Sequence, residues 1–386
     1  MLSTNISVEE FLKHREELVN EIFKNVPSGV GSKGRMGKVT KDMLQEILAN
    51  GSQWAVKQGY GKKEDYEKTE DSGNLKGDPH AVSEKAYKRG MPQLGSLGAG
   101  NHFLEVQQIQ EIFDPEIAKL FGVDEKGNVT IMIHCGSRGL GHQVASDYIK
   151  EMEAKYGHEH LPDRELINAP IKSELGQKYL GAMNAAANYA FANKQMITHW
   201  VRESINKVLG NADVNVVYDI CHNIAKIEEH NIKPLGADPN DLDIKGEKKK
   251  VCVHRKGATR SFGPGREEVP DCYRSVGQPV IIPGSMGTAS YVLVGTKKAE
   301  QVSFASTAHG AGRVMSRHEA LKQFRGEKVK SDLMAKNIMV KSASWKGIAE
   351  ESPGVYKDID EVVKVSNGLG IGNLVVKVVP LGVIKG

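Results

Sequence analysis

VTIMIHCGSRG, residues 129–139, carries the fold class. Five β-branched or apolar residues stop abruptly at His134, and a cysteine, two glycines, a serine and an arginine follow at once. A short run of this kind reads as a buried strand that delivers its last residue to a polar turn. The same design returns in VNVVYDICHN (214–223), KKVCVHRKGATR (249–260), QPVIIPGSMG (278–287) and QVSFASTAHGAGR (301–313). In each, the apolar run gives way to histidine, glycine or basic residues, the place where strand ends gather ligand groups.

Helical patterns lie between these runs. Ser7-x-x-Glu10 is a capping box, and Phe11, Leu12, Leu18, Val19, Ile22 and Phe23 recur at helical spacing, which predicts a helix over residues 8–24. A second helix is expected from Thr40 to about residue 57, and the longest from about Ile171 to Leu209, with Gly181 and Asn184 as candidate interruptions. GYGKKEDYEKTEDSGNLKGDP (59–79) is charged and has no hydrophobic period, so a surface loop is expected there. The expected fold is mixed α/β (α+β): a single large domain over residues 1–386, with central β-sheets and surrounding helices and no internal repeat or linker.

With 39% hydrophobic and 26% charged residues, the chain has the composition of a globular protein and not of a disordered one. No apolar run approaches membrane-spanning length and MLSTNISVEEFLKH lacks the order of a secretory signal, so a cytoplasmic protein without a membrane partner is expected. The cysteines Cys135, Cys221, Cys252 and Cys272 form no CxxC pair, which argues against a zinc knuckle or a disulfide framework. A net charge of +4 is too small to indicate nucleic-acid binding by itself.

Local clusters say more. In GSLGAGNHFLE (95–105) the glycines follow neither a GxGxxG nor a Walker spacing, and the useful content is Asn101, His102 and Glu105 at the start of a strand. His134 and His222 likewise stand at strand ends. Three such histidines without cysteine pairs suit a borderline cation such as Mn²⁺ or Zn²⁺, although each taken singly is as well explained as a buried structural histidine. KGEKKKVCVHRKGATRSFGPGR (245–266) gathers Lys248, Lys249, Lys250, His254, Arg255, Lys256, Arg260 and Arg266. It reads either as a solvated face or as basic groups presented to a phosphodiester backbone. IIPGSMGTASY (281–291) is a small-residue turn suited to close backbone approach or to an ordinary hairpin. FASTAHGAGR (304–313) sets His309 among small residues, with Arg313 four positions on.

Taken together and in order, GAGNHFLE, HCGSRGLGHQ, HNIAKIEEH, HRKGATR, PGSMGTASY, AHGAGR and the final GVIKG resemble the RtcB family of RNA-splicing ligases, from about residue 20 to Gly386. The resemblance implies a GTP- and Mn²⁺-dependent enzyme that joins RNA ends bearing a 2′,3′-cyclic phosphate or 3′-phosphate to 5′-hydroxyl ends, in tRNA splicing or RNA repair. His309 matches the family's nucleophile, which attacks the α-phosphorus of GTP and carries GMP covalently. His102, His134 and His222 match manganese ligands. Asn101, His102, Phe103, Leu104, Glu105, His222, Asn223, Pro283, Gly284, Ser285, Met286, Ser290, Gly310, Ala311, Gly312 and Lys385 match the guanylate site, with Tyr356 as a guanine contact. Lys256 and the arginines around it would face RNA or phosphate, and Arg313 would help hold an anion near His309. RNA, as tRNA halves or broken strands, is the implied partner, archease is admitted as an activator, and a monomer is expected.

The family carries, ahead of the matched region, a segment ending in D-I-N-C-G-V-R, whose aspartate and cysteine ligate metal; that motif does not occur here. The expectation is a domain lacking that segment, with weakened Mn²⁺ affinity and at most one metal retained. The alternative reading is a non-catalytic RNA-binding fragment or homologue with an incomplete metal centre. A metal-dependent phosphohydrolase accounts less well for His309 and GVIKG.

Overall fold

The computed structural model describes residues 1–159, 161–234, 236 and 246–386; Lys245, the first residue of the basic stretch, lies outside them. The described strands are β1 (Leu2–Ser7), β2 (Phe103–Ile112), β3 (Asn128–His134), β4 (Val214–Val216), β5 (Asn223–Ile232), β6 (Glu247–Lys256), β7 (Ala258–Arg260), β8 (Pro279–Ile282), β9 (Ser290–Val294), β10 (Ser306–Ala308), β11 (Met339–Ser342) and β12 (Asn373–Lys385). One eight-stranded sheet runs β4-β1-β3-β2-β12-β9-β8, with β11 also on β12, while β5–β6 and β7–β10 are separate antiparallel pairs. Helices surround the sheets, as the mixed α/β pattern predicts.

β12 holds the large sheet together. One of its edges pairs with β2 from Val376 to Lys385. The other is shared between β9, antiparallel along Asn373–Val378, and β11, parallel along Gly382–Lys385. Strand alternation then sends Leu104 and Val106 of β2 into the core beneath the helices and Phe103 into the core on the opposite face.

The helix Val8–Asn25 starts where the capping box places it: Ser7 Oγ accepts from Glu10 N at 3.2 Å, and Phe11, Leu18, Val19 and Ile22 are buried. The helix Lys41–Lys57 is likewise present, kinked at Gly51. The long helix runs unbroken over Glu174–Leu209, so Gly181 and Asn184 do not interrupt it. Both serve its packing against the segment before residue 80. A Cβ on Gly181 would come within 2.9 Å of the Asp78 Cβ, and Asn184 donates to the Lys76 carbonyl at 3.1 Å.

The stretch 59–79 corrects the expectation of a surface loop. It folds into the short helix Lys63–Glu67 and the turn Glu70–Gly73, and Asp65 and Glu70 are each only 1% exposed. What buries it is charge matching, which leaves no hydrophobic period to read. Arg202 donates both arms to Asp65 at 2.6 and 2.7 Å. Lys226 of β5 bonds Glu70 and Asp71, and Arg260 of β7 reaches Asp71 at 3.2 Å. Nearby, Arg255 of β6 grips Glu228 of β5 with two bonds of 2.7 and 2.9 Å.

These pairs make the fold sensitive to acid. Burial raises the Asp71 carboxyl, but Arg260 and Lys226 outweigh it and hold the group down at about 2. Burial of Glu228 is likewise outweighed by hydrogen bonds from His230 and Arg255, again to about 2. Carboxyls depressed in the folded state contribute stability above their unfolded values of roughly 4, and the contribution is lost as pH falls toward 2. Thermal unfolding followed by circular dichroism is expected to show a melting temperature that is level near pH 6 and falls steadily below about pH 4. Replacing Glu228 by Gln should flatten part of that fall.

Candidate functional site

Three histidines meet where the strands end. His134 closes β3 and pairs across the ladder with Phe103, the first residue of β2. His222 directly precedes β5, and His309 directly follows β10, whose partner is β7. The backbone of Gly257, between β6 and β7, joins the last two: its N–H donates to the His222 carbonyl at 3.1 Å, and its carbonyl accepts from the His309 N–H at 3.3 Å. Asn223 Oδ1 takes a second bond from the same Gly257 N–H at 3.1 Å.

This tie stacks the His222 and His309 rings 3.7 Å apart and 6° from parallel. His134 approaches edge-on, its Nε2 3.4 Å from His309 Nε2. One nitrogen from each ring lies within 4.8 Å of the others, which makes the trio a candidate cation site among the described residues. Burial drives the His134 and His309 pKa values well below normal, and the neighbouring imidazoles add to the effect; burial also lowers His222 to about 4. The rings are therefore neutral at pH 7 and offer lone pairs. Nδ1 of both His134 and His309 is buried with no hydrogen-bond partner, an arrangement that costs about 1–3 kcal/mol per group unless something binds there.

His102 stands farther back, its ring 6.4 Å from that of His134 and its own Nδ1 buried and unpartnered. Burial, with Arg138 adding, pushes it down to about 3. Glycine is required at position 98, where φ is +92°: a Cβ there would lie 1.8 Å from Arg138 Nη1 and 2.5 Å from His102 Nδ1.

His134, His222 and His309 floor a cleft of about 500 Å³ lined by Asn101, Phe103, Asn223, Lys256, Gly257, Pro283–Met286, Gly310–Arg313, Glu351, Tyr356 and Lys385. The turn 283–289 joins β8 to β9 as a hairpin and lays its backbone along one wall. Of the residues singled out in the sequence for the metal and guanylate sites, His102, Leu104, Glu105 and Ser290 do not line the cleft. Leu104 is in the core beneath the helices. Glu105 and Ser290 form a buried chain below it, with Gln107 Nε2 donating to Glu105 Oε2 (2.9 Å) and Ser290 Oγ (3.2 Å), and Gly284 N donating to the same Oγ at 3.0 Å. Burial raises Glu105 to about 8.

The basic stretch divides by face. Lys248, Lys249, Lys250, His254 and Lys256 are exposed, whereas Arg255 and Arg260 are buried in the ion pairs described above and cannot face RNA, contrary to expectation. Arg313 does line the cleft. Its Nη1 donates to Glu351 at 3.1 Å and its Nη2 to the Glu350 carbonyl at 2.9 Å.

Glu351 is the residue that sequence reading missed. It is 2% exposed, accepts from Arg313 and from the Tyr356 hydroxyl, and has Arg317 at 3.4 Å and Lys385 at 3.7 Å. Tyr356 and Arg317 also reach Asn101 Oδ1 at 3.3 and 3.1 Å, so one carboxylate orders a whole wall. Burial lowers Lys385 to about 8, opposed by Glu351. Only the paired acids at 350–351 hinted at it, in a chain with many such pairs. With Lys256, Arg313 and Lys385 against a single carboxylate, the cleft is arranged for an anionic ligand.

A protein-family model described as "tRNA-splicing ligase RtcB" matches residues 1–386. A protein of that name from Pyrococcus horikoshii is 52% identical over 394 residues, covering 100% of this chain and 44% of the relative. Those from Thermococcus kodakarensis and Pyrobaculum aerophilum are 51% and 48% identical, each covering 100% of this chain and 79% of the relative. The chain thus spans less than half the length of the Pyrococcus protein and about four fifths of the other two.

Glu351→Gln removes a buried carboxylate that faces three cations, Arg313, Arg317 and Lys385. Stability is expected to fall by about 3 kcal/mol, read as a lower urea midpoint with an unchanged slope.

Proposed function

The chain belongs to the tRNA-splicing ligase RtcB family, and from that premise we propose that its cleft joins RNA 2′,3′-cyclic phosphate or 3′-phosphate ends to 5′-hydroxyl ends, with GTP as the energy source. The observation that carries this reading is the state of His309: 8% exposed, neutral, stacked on His222, and opening onto a cleft with three basic side chains. A neutral imidazole held in place and stripped of water is a competent nucleophile toward phosphorus. A nitrogen of His309 attacks the α-phosphorus of GTP, an N–P bond forms and pyrophosphate leaves. Water first opens a 2′,3′-cyclic phosphate to the 3′-phosphate; the N–P bond then breaks as GMP passes to that 3′-phosphate, and the 5′-hydroxyl attacks the RNA 3′-phosphorus and expels GMP. Lys385 and Arg313 hold the anionic groups, and Gly310–Gly312 leave room for the nucleotide.

The donor set fits a borderline divalent cation: neutral imidazoles, of which His102 and His134 each keep a buried nitrogen that otherwise has no partner, with His222 clustered beside His134. His102, His134 and His222 would hold Mn²⁺, which when bound neutralises charge on the transferring phosphoryl group. A lone pair serves one acceptor at a time, so His309, although grouped with His134 and His222, keeps its nitrogen for phosphorus.

A second reading, RNA binding without catalysis, draws on the all-imidazole make-up of the cluster, whose donors offset none of a cation's charge. Incubation with α-labelled GTP and Mn²⁺ followed by denaturing electrophoresis separates the two. Label retained by the chain and absent from His309→Ala is expected; RNA binding with no labelled band would favour the second reading. Calorimetric titration with Mn²⁺ alone is expected to show at most one tight site, weakened at least tenfold by His134→Ala. Two tight sites would contradict it.

A further inference from the structure

Beyond the cleft, the β5–β6 ribbon sorts its side chains into two faces. Ten consecutive pairs run from Asn223↔Lys256 to Ile232↔Glu247 without a register break. The inner face presents Ile224, Lys226, Glu228 and Arg255, and its charges are met internally by Glu70, Asp71 and each other. The outer face starts at Asn223 and Lys256, both on the cleft wall, and continues along β6 through His254, Cys252, Lys250 and Lys248. Lys256 and Lys250 have no carboxylate partner among the described residues, and Lys248 meets only Glu229, at 3.3 Å with both side chains exposed. At the middle of this face Ile227, opposite Cys252, is 53% exposed and apolar.

We propose that this outer face is the track along which an RNA strand leaves the cleft. Alternate residues on a strand stand about 6.6 Å apart, so Lys248, Lys250, His254 and Lys256 form a basic row about 26 Å long, stepped at about 6.6 Å except across Cys252, where the gap of about 13 Å spans one further phosphate of an extended strand. The row begins inside the cleft and ends beyond it, so it acts only on RNA long enough to extend past the reacting end. Phosphates lie along β6, and Ile227 gives one base a dry surface. The acids that neutralise the inner face leave Lys250 and Lys256 free for phosphate, and Lys248 has only the exposed Glu229 to exchange for one.

The proposal rests on the RNA-ligase reading, and its test keeps the two apart. Binding of fluorescein-labelled oligouridylates with a 3′-phosphate, a trinucleotide and a dodecanucleotide, is measured by anisotropy over a range of KCl. The full chain is compared with Lys250→Glu and Lys249→Glu, neighbours with the same charge change but on opposite rows of the ribbon. Lys250→Glu is expected to weaken the dodecanucleotide about tenfold and to lower its salt slope by about 0.7, one phosphate contact. Lys249→Glu should change either affinity less than twofold, and neither substitution should alter the trinucleotide or the labelling of His309 by GTP. Equal effects of the two substitutions, or equal affinity of the unsubstituted chain for both oligonucleotides, would overturn the track. Loss of GTP labelling with the length-dependent Lys250 effect intact would overturn the ligase reading and leave the track standing.

Discussion

A charge taken out of water must find its counterion, and this requirement fixes the ribbon that carries much of the site. Leaving one buried cation of the Glu70–Asp71–Lys226–Arg260 group unpaired would cost several kcal/mol. The backbone accepts a local penalty to satisfy it: Asp71 and Ser72 both adopt left-handed φ values, 54° and 51°, at roughly 1 kcal/mol each. In return β5 and β7 are clamped to the body, and Gly257 between β6 and β7 can tie His222 to His309. The ring stack is therefore set by charges that never touch a ligand.

The wall opposite works in the same way with the signs reversed. There a single buried carboxylate, Glu351, gathers Arg313, Arg317, Lys385 and the Tyr356 hydroxyl, so that cations face the cleft while their positive charge is partly offset from behind. Cations held like this stay oriented, and an arriving anion need not first reorganise them.

The parts legible in the sequence were those whose cause is local. The apolar run that stops at His134, the Ser7 cap and the small residues around His309 each announce an element end within a few residues, whereas the strand read up to His222 ends at Val216 and His222 instead stands at the start of β5. The parts that were not legible depend on distant partners. Residues 59–79 look like a solvated loop because the cations that bury their carboxylates, Arg202, Lys226 and Arg260, lie more than a hundred residues away. Arg255 and Arg260 read as members of a basic surface cluster for the same reason: nothing near them reveals Glu228, Glu70 or Asp71. Glu351 has only the common Glu350–Glu351 pairing to mark it, and its importance appears when the chain brings Lys385 and Arg313 together around it.

β12 stands between β2 on one side and β9 and β11 on the other, yet it is composed of residues 373–385. Take it away and the ladder is left as two groups, β4-β1-β3-β2 and β9-β8, with no strand pairing between them among the described residues, while β11 loses its partner. The cleft draws its lining from both groups and from Lys385 of β12 itself, so it forms only with that strand in place. Losing β12 would therefore remove the keystone of the sheet and not a dispensable edge.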